Sequence, residues 1–217
     1  MIGCLTYVST ATRPDIAASI GVLSQFMSDP SKTHFQGVKR VLRYIKGTIS
    51  YGLKFSCDKN DELHGYSDAD YAGNLDDRRS TSGYVFKLAN STISWSSKKQ
   101  STVARSTTEA EYVALSQATQ EVIWLRRLLS DLGSKPVSPT TVHEDNQGAI
   151  EIARNPKFHN RTKHIDVAYH FVRERILSKE VKVCYCPSKD MIADIMTKGL
   201  SKDQFQKLRN LLNVQSC

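Results

Sequence analysis

No apolar run in this 217-residue sequence approaches the ~20 residues that a membrane-spanning helix needs, so no membrane partner is expected. A secretory signal is not evident either. The weakly apolar stretch 2–8 lacks a basic leader and is cut short by Arg13, Pro14 and Asp15, which points to an intracellular setting, in a cytoplasmic particle or the nucleus. Cysteine is scarce: Cys4, Cys57, Cys184, Cys186 and Cys217 are odd in number, scattered, and without C-x-x-C pairing. That excludes a thiolate zinc site and leaves reduced thiols, with Cys184 and Cys186 as filler on one face of an expected strand. Internal repeats and low-complexity segments are also lacking.

What is present is an ordinary globular composition, 40% hydrophobic, long enough for one principal domain and an accessory piece. The net charge of +8 favours a polyanionic partner, nucleic acid first. The charge is uneven. Residues 1–57 carry seven basic against two acidic side chains, 58–145 carry ten against thirteen, and 146–217 carry thirteen against seven. An acidic middle between basic flanks suits a protein that gathers carboxylates at one place and holds a phosphate backbone with the rest; chance surface charge is the alternative.

Periodicity divides the chain. Pro14 opens a helix with Ile16, Ile20, Leu23 and Met27 at helical spacing, stopped by Asp29-Pro30. A second helix runs from about Thr33 to Gly47, with Val38, Leu42 and Ile45 on its apolar face. After a polar break at 57–61, residues 63–68, 83–88 and 92–97 read as an antiparallel meander, followed by a long helix from about Thr108 to Leu132 closed by Gly133. Then come a strand (140–145), a short helix (147–154), a basic helix (165–177), a strand (181–186) and a helix (191–197). Meander followed by alternating units implies a mixed sheet with helices on its faces.

In the long helix Glu111, Leu115, Ala118, Val122, Leu125, Leu129 and Leu132 form one stripe, so Glu111 heads the face that packs on the sheet. A carboxylate there is costly unless paired or bound to metal; the alternative is that it complements the helix dipole. Asp68 and Asp145 end strands, and Asp194 lies in the final helix, where all can reach one sheet edge. Four carboxylates without a histidine or thiolate partner suit two hard ions, Mg²⁺ or Mn²⁺, and so phosphodiester hydrolysis.

Beyond these acids, Tyr66-Ser67-Asp68-Ala69-Asp70-Tyr71-Ala72-Gly73, Arg78-Arg79-Ser80-Thr81-Ser82-Gly83, Ser106-Thr107-Thr108-Glu109-Ala110-Glu111, Asp145-Asn146, Arg161-Thr162-Lys163-His164-Ile165-Asp166 and Ala193-Asp194-Ile195-Met196-Thr197-Lys198 stand in order. The set resembles the ribonucleases H of copia-type retrotransposon Pol polyproteins. The resemblance implies a mixed α/β, ribonuclease H-like fold, with a five-stranded sheet of three antiparallel and two parallel strands and helices on both faces. It implies endonucleolytic cleavage of the RNA strand of an RNA·DNA hybrid, with Asp68, Glu111, Asp145 and Asp194 as catalytic and metal-binding residues. Asp70, Glu109 and Glu144 are set aside. Residues 1–57, with Thr12-Arg13-Pro14-Asp15-Ile16-Ala17, resemble the tail of the copia reverse transcriptase, whose missing remainder is an expected partner. The expected division is a helical remnant (1–57), a ribonuclease H-like domain (58–200) and a helical tail (201–217). Two departures stand out: the loop 186–190 lacks the mobile His of cellular ribonucleases H, and Tyr71 replaces the family's usual Trp.

For holding nucleic acid, the candidates are Asn146 and the basic Arg161, Lys163, Arg173 and Arg175, with a solvated basic face as the alternative. A rival reading of another class rests on Arg40-Val41-Leu42-Arg43, which fits the R-x-L-R pattern of secreted oomycete effectors delivered into host plant cells to act on host proteins. Arg40, Leu42 and Arg43 are its fixed positions. A third reading is a nucleic-acid-binding module without turnover.

Overall fold

A computed structural model of the chain describes residues 1–56, 62–155 and 163–216, with side chains from residue 170 onward in the last segment. The chain begins with α1 (Ile2–Ala11), a 3₁₀ turn (Pro14–Ile16), α2 (Ala17–Ser24), α3 (Lys32–Gly47) and a short β1 (Tyr51–Leu53). There follow β2 (His64–Ala69), β3 (Thr81–Leu88), β4 (Ser91–Lys99), the long α4 (Thr107–Asp131), β5 (Thr140–Glu144), α5 (Gln147–Arg154), α6 (Lys163–Leu177) and β6 (Val181–Tyr185). A 3₁₀ turn (Ser188–Asp190), α7 (Asp194–Thr197), α8 (Lys202–Leu211) and β7 (Val214–Ser216) complete it.

The main sheet has the order β4-β3-β2-β5-β6. β2, β3 and β4 form the antiparallel meander, and β5 and β6 add in parallel beside β2. Parallel neighbours require a crossover, and α4 and the α5–α6 pair supply the two that are needed. This is the ribonuclease H-like, mixed five-stranded sheet expected from the sequence.

Strand alternation feeds two cores. On one face Phe86, Val142, Val181 and Val183 meet Tyr112, Leu115, Ala118, Val122 and Leu125 of α4. On the other, Val85 packs with Ile192, just before α7, and with Ile195, Met196 and Leu208 from α7 and α8. The α4 stripe is buried as expected down to Leu125, but Leu132 is 73% exposed because the helix has by then run past the sheet. Ser106 caps α4 by accepting from the Glu109 N–H, and Gly133 follows it with φ +84°, the left-handed conformation that ends helices.

The amino-terminal helices have a core of their own: Leu5, Ile16, Ile20, Val38 and Val41. The sequence left α1 unassigned; it is held by this packing rather than by any marked amphipathicity. On α3 the buried pair is Val38 and Val41, while Leu42 is 37% exposed. The cause is an anchor one turn on, where the Tyr44 hydroxyl donates to Asp15 at 2.6 Å and so turns that side of α3 inward. Asp15 also takes a forked pair from the buried Arg13 Nε and Nη2, at 2.9 and 2.8 Å; Nη1 donates to the Thr48 carbonyl, and Nη2 also donates to the Thr48 hydroxyl. Arg13 thereby closes the corner between α1 and the end of α3, which accounts for the Thr-Arg-Pro-Asp stretch.

These helices also meet the sheet. Trp95 Nε1 on β4 donates to the Ser9 carbonyl at 2.8 Å, and Ala17 packs against the Ile192–Met196 cluster. β1 pairs antiparallel with β7, and the Arg209 guanidinium of α8 lies 4.7 Å over the Tyr51 ring. The close of the amino-terminal segment is therefore hydrogen-bonded to the carboxyl-terminal strand. The polar break read at 57–61 lies outside the described residues.

Candidate metal centre

Asp68 closes β2 and is 1% exposed. Across the ladder from it is Gly83, where a Cβ would stand 2.6 Å from Met196 Cβ and 2.7 Å from Thr197 Cγ2. The missing side chain lets α7 lie directly on β3. Thr197 consequently donates its hydroxyl to Asp68 Oδ2, and Asp194 reaches the same edge. From the other face Glu111, in the second turn of α4, accepts the Ala69 N–H at 2.8 Å, tying the helix to the end of β2.

β5 delivers two acids. Thr140, Val142 and Glu144 share its α4-facing side, so Glu144 is fully buried against Glu111, with one oxygen accepting the Asn146 N–H at 3.2 Å. The strand ends there, and Asp145 turns toward the 3₁₀ loop, where Ser188 donates to it at 2.6 Å. The result is two overlapping carboxylate trios, Asp68–Asp145–Asp194 and Glu111–Glu144–Asp145, each offering oxygens within 4.8 Å of one another.

Burial raises the carboxyls of Asp68, Glu111, Glu144 and Asp194 above their ordinary range, and repulsion from neighbouring acids adds to it; Asp194 is pushed up to about 6. Lys198 opposes this. Its ammonium lies 2.8 Å from Asp194 and 3.6 Å from Asp68. Burial alone would lower the Lys198 pKa, but the acids outweigh it and hold the group above its usual value.

Crowded all-oxygen donors, one of them a buried Glu144 oxygen with no hydrogen-bond partner, fit hard divalent ions. A stability consequence follows from the raised carboxyls. Between its ordinary and its raised value each keeps a proton in the folded state that the unfolded chain has already lost, so ion-free stability is present at low pH and drains away as pH rises through the folded values, above which the ionised Asp68 and Asp194 lie against Lys198. In chelator, the unfolding temperature is expected to climb as pH falls from about 8 to about 6, and saturating Mn²⁺ should flatten that slope by replacing protons at the same oxygens. Calorimetry with and without Mn²⁺ checks it; a flat profile in chelator contradicts it.

The structure thus brings Asp68, Glu111, Asp145 and Asp194 together. It adds Glu144, Thr197, Ser188 and Lys198, which sequence reasoning missed. Glu144 was legible from its shared face with Val142; the other three depend on how α7 and the preceding turn fall. Asp70 stands apart, accepting the Thr81 N–H, and the half-buried Glu109 accepts the Arg105 N–H at 3.0 Å.

The expected phosphate-holding residues are dispersed. Asn146 caps α5, accepting the Ala149 N–H at 3.0 Å beside the cluster. Arg161 lies outside the described residues, as does the Lys163 side chain. Arg173 donates to the Asn155 carbonyl beyond the end of α5, and Arg175 pairs with Glu180 at 2.9 Å just before β6 begins. Because β6 runs parallel to β5, Arg175 sits at the opposite end of the sheet from the acids, and its charge is already matched. Arg40, Leu42 and Arg43 lie along the middle of α3, whose capping box at Ser31 and His34 makes them part of a formed helix. Cys184 is half-buried and Cys186 buried, both as free thiols. Among the described residues no helix is long and apolar enough to cross a membrane.

The chain is similar over nearly its whole length to a much longer protein. It is 42% identical over 214 residues to the retrovirus-related Pol polyprotein from transposon RE1 of Arabidopsis thaliana, an alignment that takes in 99% of this chain and 14% of the polyprotein. It is 59% identical over 124 residues to secreted RxLR effector protein 161 of Plasmopara viticola, covering 57% of this chain and 87% of the effector. Among solved structures, LC11-RNase H1, isolated from compost, aligns with 68% of this chain and 97% of its own at 16% identity and a TM-score of 0.48. No protein-family model matches the chain.

Proposed function

The chain belongs to the retrovirus-related Pol polyproteins of copia-type transposons and carries their ribonuclease H-like domain, and from that premise we propose that it is a divalent-metal-dependent endonuclease that hydrolyses the RNA strand of RNA·DNA hybrids. The observation that carries the reading is the pair of carboxylate trios joined through Asp145 at the carboxyl edge of the sheet.

Asp68, Asp145 and Asp194 would hold one ion, and Glu111, Glu144 and Asp145 the other. When bound, two such ions supply Lewis-acid stabilisation of the attacking and leaving oxygens of a phosphodiester, and lower the pKa of bound water. The protein's part is rigidity. Thr197 fixes the outer oxygen of Asp68, the Ala69 N–H fixes Glu111, and Ser188 holds Asp145, so the donors are oriented before substrate arrives. Asn146, at the start of α5 beside Asp145, stands where it can meet the RNA strand, and a 2′-hydroxyl contact there would distinguish RNA from DNA.

A hybrid labelled separately on each strand tests this. RNA-strand cleavage with Mg²⁺ or Mn²⁺, lost in chelator and absent on the DNA strand, is expected; no cleavage, or cleavage that persists in chelator, overturns it. The reverse transcriptase portion of the same polyprotein is the proposed partner for the amino-terminal segment, whose Val22, Met27 and Phe35 are exposed at 54%, 59% and 49%.

The identity to an effector protein supports a second reading, in which the chain is secreted and acts on host plant proteins. The two separate cleanly. If Arg40→Ala with Arg43→Ala alters a plant cell-death assay while Asp68→Asn alters neither that assay nor hybrid cleavage, the effector reading stands and the nuclease falls.

A further inference from the structure

One charged group at the cluster has no part in the hydrolysis just described. Lys198 follows α7 directly, so the same contact with β3 that brings Asp194 to Asp68 also brings its ammonium there. Nζ lies 2.8 Å from Asp194 Oδ1 and 3.6 Å from Asp68 Oδ1, with the side chain 40% exposed. Those carboxylates belong to the trio that, with Asp145, would hold one divalent ion. An ammonium and an ion then compete for the same oxygens. The second trio differs: among the described residues no ion pair involves Glu111 or Glu144.

Resting on the metal-dependent nuclease reading, we propose that Lys198 is a tethered competitor cation, which offsets the negative charge shared by Asp68 and Asp194 in the ion-free protein and must swing aside for a divalent ion to bind at Asp68–Asp145–Asp194. A compact charge on a flexible four-carbon stem is suited to this, since it offsets charge without a fixed fork geometry and can turn into the solvent it already faces. Lys198 keeps the ion-free fold from carrying an unpaired pair of buried carboxylates, and it weakens ion affinity at that trio alone. The two metal positions are therefore unequal by construction. Lys198 is a positioning residue of the ion-free state and touches no reacting atom in this scheme.

The test is a Mn²⁺ titration of the full chain by calorimetry, at one pH and low ionic strength, without nucleic acid. Lys198→Met is expected to tighten the weaker class of ion by about ten-fold or more, the direction set by removing a positive charge a few ångströms from a doubly charged ion. The same variant should unfold at a lower temperature than wild type in chelator and recover at saturating Mn²⁺. Lys198→Arg, which keeps the charge, should titrate close to wild type. If Lys198→Met does not fold, Lys198→Gln, which keeps an N–H donor for Asp194, carries the same comparison. Unchanged or weaker ion binding by the folded neutral variant overturns the competitor role while leaving the nuclease reading intact, provided wild type binds Mn²⁺ and Asp68→Asn weakens that binding. Wild type that binds no Mn²⁺ overturns both.

Discussion

Asp68→Asn is expected to remove nearly all hybrid cleavage, and Glu111→Gln and Asp145→Asn to do the same, while Glu109→Gln leaves most of it. Asparagine keeps the size of Asp68 and an oxygen to accept the Thr197 hydroxyl, so the fold around it should stand. What it lacks is the charge that holds an ion. Loss of ion-supplied charge stabilisation, worth several kcal/mol at about 1.4 kcal/mol per decade, corresponds to a fall of roughly a thousand-fold or more. Glu109, two residues from Glu111, is half-buried and accepts the Arg105 N–H ahead of α4, outside both carboxylate trios. Glu144→Gln belongs with the first group, because Glu144 is buried in the trio that contains Glu111. Single-turnover rates measured beside far-UV circular dichroism give the answer; equal loss from Glu109→Gln and Glu111→Gln would sink the assignment of the α4 face.

Deleting residues 1–57 is expected to lower the unfolding temperature by about 10 °C, from an interface worth roughly 3–4 kcal/mol in a chain of this size. The deletion strips the β1 partner from β7, the Ser9 carbonyl from Trp95 Nε1, and the Tyr44 hydroxyl and Tyr51 ring from Arg209. It also uncovers the face of β4 and α7 against which Ala17 packs, next to the Thr197 that holds Asp68. Ion binding should weaken with stability. An unfolding temperature equal to that of the full chain would mean that residues 58–217 stand alone and that the docked helices contribute nothing to the site.

Most of the sheet and the four aspartate and glutamate positions were legible in the sequence, because strand alternation and the α4 stripe are repeating signals that survive without tertiary information. Glu111 was found in this way: it occupies a position where a leucine would keep the stripe apolar. Glu144, set aside with Asp70 and Glu109 beside the family's acids, sits in a strand that the sequence reading runs on to Asp145. Ending β5 one residue earlier puts Glu144 on the side of Val142 and frees Asp145 to turn. Thr197 and Lys198 left no periodic mark at all. Their place depends on the close approach that Gly83 permits, a contact between positions more than a hundred residues apart. The β1–β7 pair was invisible for a related reason, since three-residue strands are too short to show a period and are specified by each other. The basic helix read as a phosphate clamp failed differently at Arg175, where composition gave the charge but not the end of the sheet on which it falls.

Whether five carboxylates at one sheet edge hold two ions is tested directly by anomalous diffraction from crystals grown with Mn²⁺. Two peaks about 4 Å apart, one against Asp68, Asp145 and Asp194 and the other against Glu111, Glu144 and Asp145, are expected. A cluster that remains free of Mn²⁺ at saturating concentration, with Asp68 still bound to Lys198, would contradict two-ion binding.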